Sequence, residues 1–256
     1  MTLNFIGLGL NNEKDITVKG LEIIKKCDVI YLESYTSILQ CSIEDLEKLY
    51  GKKIISADRD LVEKKAEETI LKDSKDKEVA FLVIGDPMCA TTHTDLLLRA
   101  KKAGIKTNII NNASIISAIG ITGLEVYKFG KITSIPFENE NVKAPYEVMQ
   151  DNIKNNLHTL LLLDLKPGTQ TNESESDSSL ENKFLTIKDA VNYLIKQGMP
   201  KDQLCIGCAR IGSDNSTIKK GKAEKLINID FSNPPYCLIV PAKLHFMEEE
   251  AIEQWE

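Results

Sequence analysis

Val79–Ile84 (VAFLVI) is a run of six apolar residues that stops on Gly85-Asp86-Pro87. A strand with one face in water alternates apolar and polar side chains, so an unbroken apolar run needs cover on both faces. The usual cover is a layer of helices on each side of a parallel sheet. The neighbouring sequence supplies matching parts. Strand-like runs at Leu3–Leu8, Asp28–Glu33, Lys53–Ser56 and Thr107–Ile110 alternate with helical stretches at Thr17–Lys26, Ser42–Tyr50, Asp60–Asp73 and Asp95–Ala103. In the first of these helices Val18, Leu21 and Ile24 recur at helical spacing behind a capping Thr17, and Gly104 closes the last. The pattern predicts an α/β fold with a doubly wound parallel sheet over residues 1–112. Open sheets of this kind bind ligands beyond the carboxyl ends of their strands, where Gly9, Asp86 and Asn112 fall.

The pattern changes over residues 113–256, which predict an α+β domain with a mixed sheet. A small-residue helix is expected at Ser114–Thr122 and an amphipathic one at Ile187–Gln197. Strands are expected at Lys131–Pro136, Leu157–Asp164, Gln203–Arg210 and Tyr236–Val240. Between them, residues 166–182 (KPGTQTNESESDSSLEN) are rich in Ser, Glu and Asn and poor in apolar residues, the composition of a mobile surface loop.

Several function classes are disfavoured at once. A net charge of −6 leaves no basic excess to neutralise phosphates, which argues against direct binding of nucleic acid. Leu160–Leu163 falls far short of the roughly 20 apolar residues of a membrane span, so no membrane association is expected. Met1–Leu10 has neither the basic flank nor the cleavage site of a secretory signal. The six cysteines (27, 41, 89, 205, 208 and 237) lack the spacing of a disulfide framework, and Cys205 and Cys208 are placed on opposite faces of a strand. A reduced, cytoplasmic protein without a metal site is the expectation.

Familiar catalytic motifs fail. Gly7-Leu8-Gly9 opens like a dinucleotide-binding turn, but Asn12 stands where the third glycine belongs. No phosphate-binding P-loop, G-x-S-x-G or H-E-x-x-H occurs, and the three histidines lie far apart. Gly85-Asp86-Pro87 therefore stands out. Gly85 frees the backbone at a strand end, Asp86 offers a carboxylate and Pro87 fixes φ, with Thr91, Thr92 or Thr94 able to cap the next helix. A βα turn alone accounts for these residues. A ligand with positive charge and hydroxyl donors, such as a sulfonium cofactor with a ribose, accounts for them too. His93 fits a capping or packing role better than a catalytic one.

The segments FIGLGLNNEKDITVKGLEIIKKCD, YLESYTSIL, VAFLVIGDPMCATTHTDLLLRA and NNASIISAIGITGLEVYKFGK closely resemble the diphthine synthases, methyltransferases of diphthamide biosynthesis. LHTLLLLDLK, CARIGSDNSTIKKG and PPYCLIVPAKLH extend the resemblance over nearly the whole chain outside 166–182. It implies a two-domain tetrapyrrole-methylase-like fold that binds S-adenosyl-L-methionine between its domains. It also implies elongation factor 2 as the protein substrate, modified on a histidine that carries a 3-amino-3-carboxypropyl group, and a homodimer. YLESYTSIL, SADRDLVEKKAEE and FLVIGDP look closer to the eukaryotic type, which adds a methyl ester to the three N-methyl groups. Carried over position by position, the resemblance implies cofactor contacts at Leu10, Asp86, Cys89, Ser114, Ile115, Leu163, Ile211 and Tyr236, the last standing where the family usually has histidine. No catalytic base is implied, because the methyl sulfonium is already activated. Other readings on the same fold are a methyltransferase of tetrapyrroles or ribosomal RNA, or a noncatalytic module that holds the cofactor.

Overall fold

The computed structural model describes residues 1–89, 93–166 and 183–255. Two compact units result: Met1–Ala118 with Gly212–Asp214, and Ile119–Ile211 with Asn215–Glu256.

The first unit carries a five-stranded, all-parallel sheet of β1 (Thr2–Gly7), β2 (Val29–Glu33), β3 (Ile55–Ala57), β4 (Val79–Val83) and β5 (Lys106–Ile110), in the order β3-β2-β4-β1-β5. Alternate residues of β4 feed two cores. Val79, Phe81 and Val83 join Leu96, Leu97 and Ala100 of helix α5 (Thr94–Lys102), while Ala80 and Leu82 join Ile24 of α1 (Val18–Ile24) and Leu46 of α2 (Ile43–Tyr50). An apolar run covered by helices on both faces is what VAFLV requires. Phe81 is fully buried and meets Phe5 edge to face at 5.8 Å. The side-chain caps are local: Thr17 Oγ1 accepts from Gly20 N at 3.0 Å, and Ser42 with Asp45 closes a capping box on α2.

Two expectations need correction in this unit. The helix expected at Asp60–Asp73 is two short ones, α3 (Arg59–Glu63) and α4 (Ile70–Asp73). The Arg99 guanidinium takes the carbonyls of Val62 (3.4 Å) and Glu63 (3.0 Å), which a continuing helix would have bonded to its own next turn. Helix α5 starts with His93 at its N-cap, and the imidazole makes no capping bond. Thr94 is the first residue of that helix, whereas Thr91 and Thr92 lie outside the described residues.

The second unit holds a mixed sheet in the order β11-β10-β12-β7-β6, from β6 (Thr133–Ile135), β7 (Thr159–Leu163), β10 (Leu204–Ala209), β11 (Thr217–Lys222) and β12 (Tyr236–Val240). Only β6 and β7 pair in parallel among the described strands of that sheet. A two-residue ladder, β8 (Leu165–Lys166) with β9 (Lys183–Phe184), pairs Lys166 with Lys183. The expected mobile segment 166–182 lies outside the described residues from 167 onward. Helix α6 (Ile115–Ala118) belongs to the first unit, and the helix expected at Ser114–Thr122 continues beyond it only as a 3-10 turn. Helix α7 (Ala144–Lys154), strand β11 and helix α10 (Phe246–Ile252) were not expected, whereas α8 (Ile187–Gln197) and β12 have the expected bounds. α9 (Ala223–Leu226) completes the unit.

A buried ionic cluster anchors α10. Glu248, 1% exposed, accepts from Lys128 Nζ at 2.6 Å, from the amides of Glu125 and His245, and from His158 Nε2 at 2.8 Å. His158 Nδ1 accepts from Ala242 N, so the imidazole carries its proton on Nε2 and is neutral. Burial opposes charge on Glu248, but these donors outweigh it and pull the carboxyl down to about 2.

Candidate functional site

Three loops leave the neighbouring strands β4, β1 and β5 at their carboxyl ends, and they are packed backbone to backbone. A Cβ on Gly7 would lie 2.5 Å from Gly85 O and 2.8 Å from Asn112 Cβ, so no larger residue fits where the loops converge. Gly9 and Gly85 both take φ +80° and exchange hydrogen bonds, Gly85 N to Gly9 O at 2.8 Å and Gly9 N to Gly85 O at 3.3 Å.

Two carboxylates brace this arrangement. Asp15 Oδ2 accepts from the amides of Leu10 (3.1 Å) and Asn11 (2.8 Å), which shapes the turn after β1. Asp86, 4% exposed, accepts from Met88 N through Oδ1 (2.8 Å) and from Asn111 Nδ2 and Asn112 N through Oδ2 (both 3.0 Å). Burial works against the Asp86 charge, but these donors prevail and hold the carboxyl below the usual range. Asn112 Nδ2 then bridges Gly7 O (2.9 Å) and Asp15 O (3.0 Å). The acids act mainly on the chain itself, and the surface they shape is largely main chain.

Gly85 is buried, but it is packed less tightly than Gly7. A Cβ added there would meet nothing nearer than Ala113 O and Leu10 Cδ2 at 3.8 Å and Ser114 Cα at 3.9 Å. The Cα of Gly85 thus faces Leu10, Ala113 and Ser114 with room for about one methyl group, a shallow cup where the loops converge. Such a cup suits a cofactor that lies close against backbone, and the neighbouring Asp86 charge favours a cationic one. The residues present therefore fit S-adenosylmethionine.

Of the site residues expected from sequence, the structure gathers Leu10, Asp86, Cys89, Ser114 and Ile115 at the carboxyl ends of β1, β4 and β5. Cys89 is half-buried, with its amide on Asp86 O at 3.3 Å. Burial chiefly pushes its thiol up, so it is not poised as a thiolate. In the second unit, Leu163, Ile211 and Tyr236 share one end of the sheet: Leu163 ends β7, Ile211 lies just past β10, and Tyr236, which starts β12, pairs with Ala209. The Tyr236 hydroxyl donates to Ser232 O, so its polar end is engaged within its own loop. His93 is 1% exposed and packs edge-on against Phe81 (5.1 Å) and Tyr35 (6.4 Å), and burial lowers its imidazole to about 4.

Sequence reading missed the bracing roles of Asp15, Asn111 and Asn112. The signal was present: an aspartate six residues after Gly9 and an Asn pair at a strand end are residues that bind loop backbone.

Residues 2–227 match the family model described as Tetrapyrrole (Corrin/Porphyrin) Methylases. The chain is 43% identical to a diphthine methyl ester synthase of Dictyostelium discoideum, over 99% of this chain and 97% of that one. It is 43% identical to a diphthine synthase of Methanocella arvoryzae, over 98% and 96% of the two chains. To the Homo sapiens diphthine methyl ester synthase it is 40% identical, over 98% and 93%. A solved diphthine synthase structure superposes with a TM-score of 0.87 at 39% identity, covering 100% of this chain and 96% of the other.

Proposed function

The chain belongs to the diphthine synthases, methyltransferases built on the tetrapyrrole-methylase fold, and from that premise we propose that it methylates the 3-amino-3-carboxypropyl-histidine of elongation factor 2. It is an S-adenosylmethionine-dependent methyltransferase of diphthamide biosynthesis. One observation carries this: identity of 40–43% that runs almost end to end in both partners of each comparison.

Within that activity we assign cofactor binding to Leu10, Cys89, Ser114 and Ile115, with Asp86 bracing the loop between them, and to Leu163, Ile211 and Tyr236. When bound, S-adenosylmethionine supplies an activated methyl group for in-line displacement by an amine or a carboxylate. The chain's own contribution is positioning and the exclusion of water. Asp86 is a poor proton acceptor, because three donors already hold its charge. Of the two products, the four-methyl ester is the one we assign. YLESYTSIL and SADRDLVEKKAEE support it, although overall identity is 43% to a relative of each type.

We further propose a cytoplasmic homodimer. The six cysteines are free thiols, which suits a reducing compartment, and no helix among the described residues is long and apolar enough to cross a membrane.

The test uses elongation factor 2 purified from cells lacking this step, incubated with the protein and S-adenosylmethionine. The expected outcome is a mass gain of four methyl groups with release of S-adenosylhomocysteine. A gain of three would assign the diphthine product instead, and no turnover would leave a binding module.

A further inference from the structure

The carboxyl rim of the first sheet has a second half. The cup lies over β4, β1 and β5, while β2 and β3 continue the same rim on the other side of β4. β2 ends on Glu33, which is fully buried and accepts from Tyr35 N (2.6 Å), Thr36 N (2.6 Å) and Thr36 Oγ1 (2.5 Å). This turn fixes Tyr35, 3% exposed, with its ring between two neighbours. His93 stands edge-on at 6.4 Å, and the Arg59 guanidinium, just past the end of β3, lies over the ring at 5.3 Å.

Arg59 is held but not satisfied. Its side chain is 63% exposed, and its ion-pair partner Glu63 sits at 3.8 Å, beyond hydrogen-bond distance. Among the described residues the guanidinium makes no hydrogen bond. A planar fork of donors pinned over an aromatic face is pre-organised for a carboxylate, since little side-chain freedom remains to be lost. Next to it, a pocket of about 260 Å³ is lined by Val62, Glu63, His93, Asp95 and Leu96. Its two carboxylates are already engaged, Asp95 with Arg99 Nη1 at 3.2 Å and Glu63 facing Arg59, so Arg59 is the group that presents unused donors.

We infer that this β3–β2 half of the rim receives the amino-acid end of the substrate side chain, with Arg59 taking its carboxylate. The inference rests on the function proposed above. The substrate ends in a carbon that bears both a carboxylate and an amine. Arg59 matches the carboxylate, on the rim that also carries the cofactor cup, and leaves the amine on the same carbon free to attack the methyl group. Strands in a sheet are about 4.8 Å apart, so β3 lies about 10 Å from β4, a gap that the long arginine side chain itself bridges, because the carboxylate and the methylated amine share one carbon.

The test is steady-state methylation of the protein substrate by Arg59→Ala, Arg59→Lys and Arg59→Glu, beside calorimetric titration with S-adenosylmethionine. The expected result for Arg59→Ala is a KM for the substrate raised on the order of 10- to 100-fold, the scale of a charge-assisted hydrogen bond. Arg59→Glu should be worse, Arg59→Lys should recover part of the loss, and cofactor affinity and melting temperature should stay at wild-type values. Wild-type kcat/KM in Arg59→Ala would overturn the inference, as would a loss confined to cofactor binding. If the wild-type enzyme itself fails to methylate the factor, the proposed function fails before any variant is compared.

Discussion

At Gly85 the backbone takes φ +80°, where a side chain strains the chain by roughly 1–2 kcal/mol, and an added methyl would point at Leu10, Ala113 and Ser114. Gly85→Ala should therefore cost about 1 kcal/mol of stability and a larger share of cofactor affinity, about tenfold or more. Asp86→Ala should behave differently. It strands the amides of Met88 and Asn112 and the Asn111 side chain, so roughly 2–3 kcal/mol of stability should go together with the affinity. Denaturant titration and calorimetry on both variants give the comparison. A stable Asp86→Ala protein that has lost only cofactor binding would show that the carboxylate touches the cofactor itself. The Asp86 charge also sets a pH limit. Its folded pKa is depressed, so its contribution is complete above the ordinary aspartate value of about 3.9 and is lost as pH falls through the lower folded value. Sequence placed Asp86 at a strand end but not its partners, because Asn111 and Asn112 lie just past β5, a separate strand that only the tertiary fold brings alongside.

The helix that sequence located to the residue shows why it could. α8 begins at the Thr186–Asp189 capping box and ends at Gly198 with φ +117°, so both bounds are written locally. Where bounds depend on distant groups, pattern misleads. The α3–α4 break is made by Arg99 from another helix, and β11 (TIKKGK) hides because three lysines interrupt its alternation on an edge strand. α7 was overlooked although Pro145 marks its first turn; its buried Asn152 bonds Lys131 backbone and so disguises an inward face as a polar one. A prediction follows at the ladder of β8 and β9. Lys166 pairs with Lys183, and Leu185 N reaches Asp164 O at 3.0 Å, so the two ends of the intervening segment are already fastened side by side. Replacing Thr169–Leu180 with a short Gly-Ser linker should leave melting temperature and cofactor affinity unchanged and methylation largely intact. A shortened enzyme that binds cofactor but no longer methylates the factor would assign this segment to substrate recognition.

At the scale of the molecule, the second unit keeps apolar side chains outside. Ile119 turns inward, but Ile121 (53% exposed), Val126 (40%) and Tyr127 (85%) do not, and Phe246 and Met247 at the start of α10 are exposed as well. The segment from Ile121 to Tyr127 is fastened to α10 through Glu125 N on Glu248 and by the close approach of Gly123 to Ala251. The proposed homodimer would cover such a surface. Light scattering should report twice the monomer mass at micromolar concentration, and the double variant Ile121→Glu, Tyr127→Glu should return it to the monomer without lowering helix content. Monomeric wild-type protein would count against the dimer. Leu10, one wall of the cofactor cup, is backed by Gly212, where even a Cβ would come within 2.6 Å of the leucine's own. Residues from the first and the last fifth of the chain thus meet in the first unit. On the ribosome the parallel sheet can assemble as soon as β5 has emerged, but the cup waits for almost the whole message to be read. A nascent chain stalled before Gly212 would hold a folded sheet with an unfinished site, which makes cofactor binding a late event in the life of each new molecule.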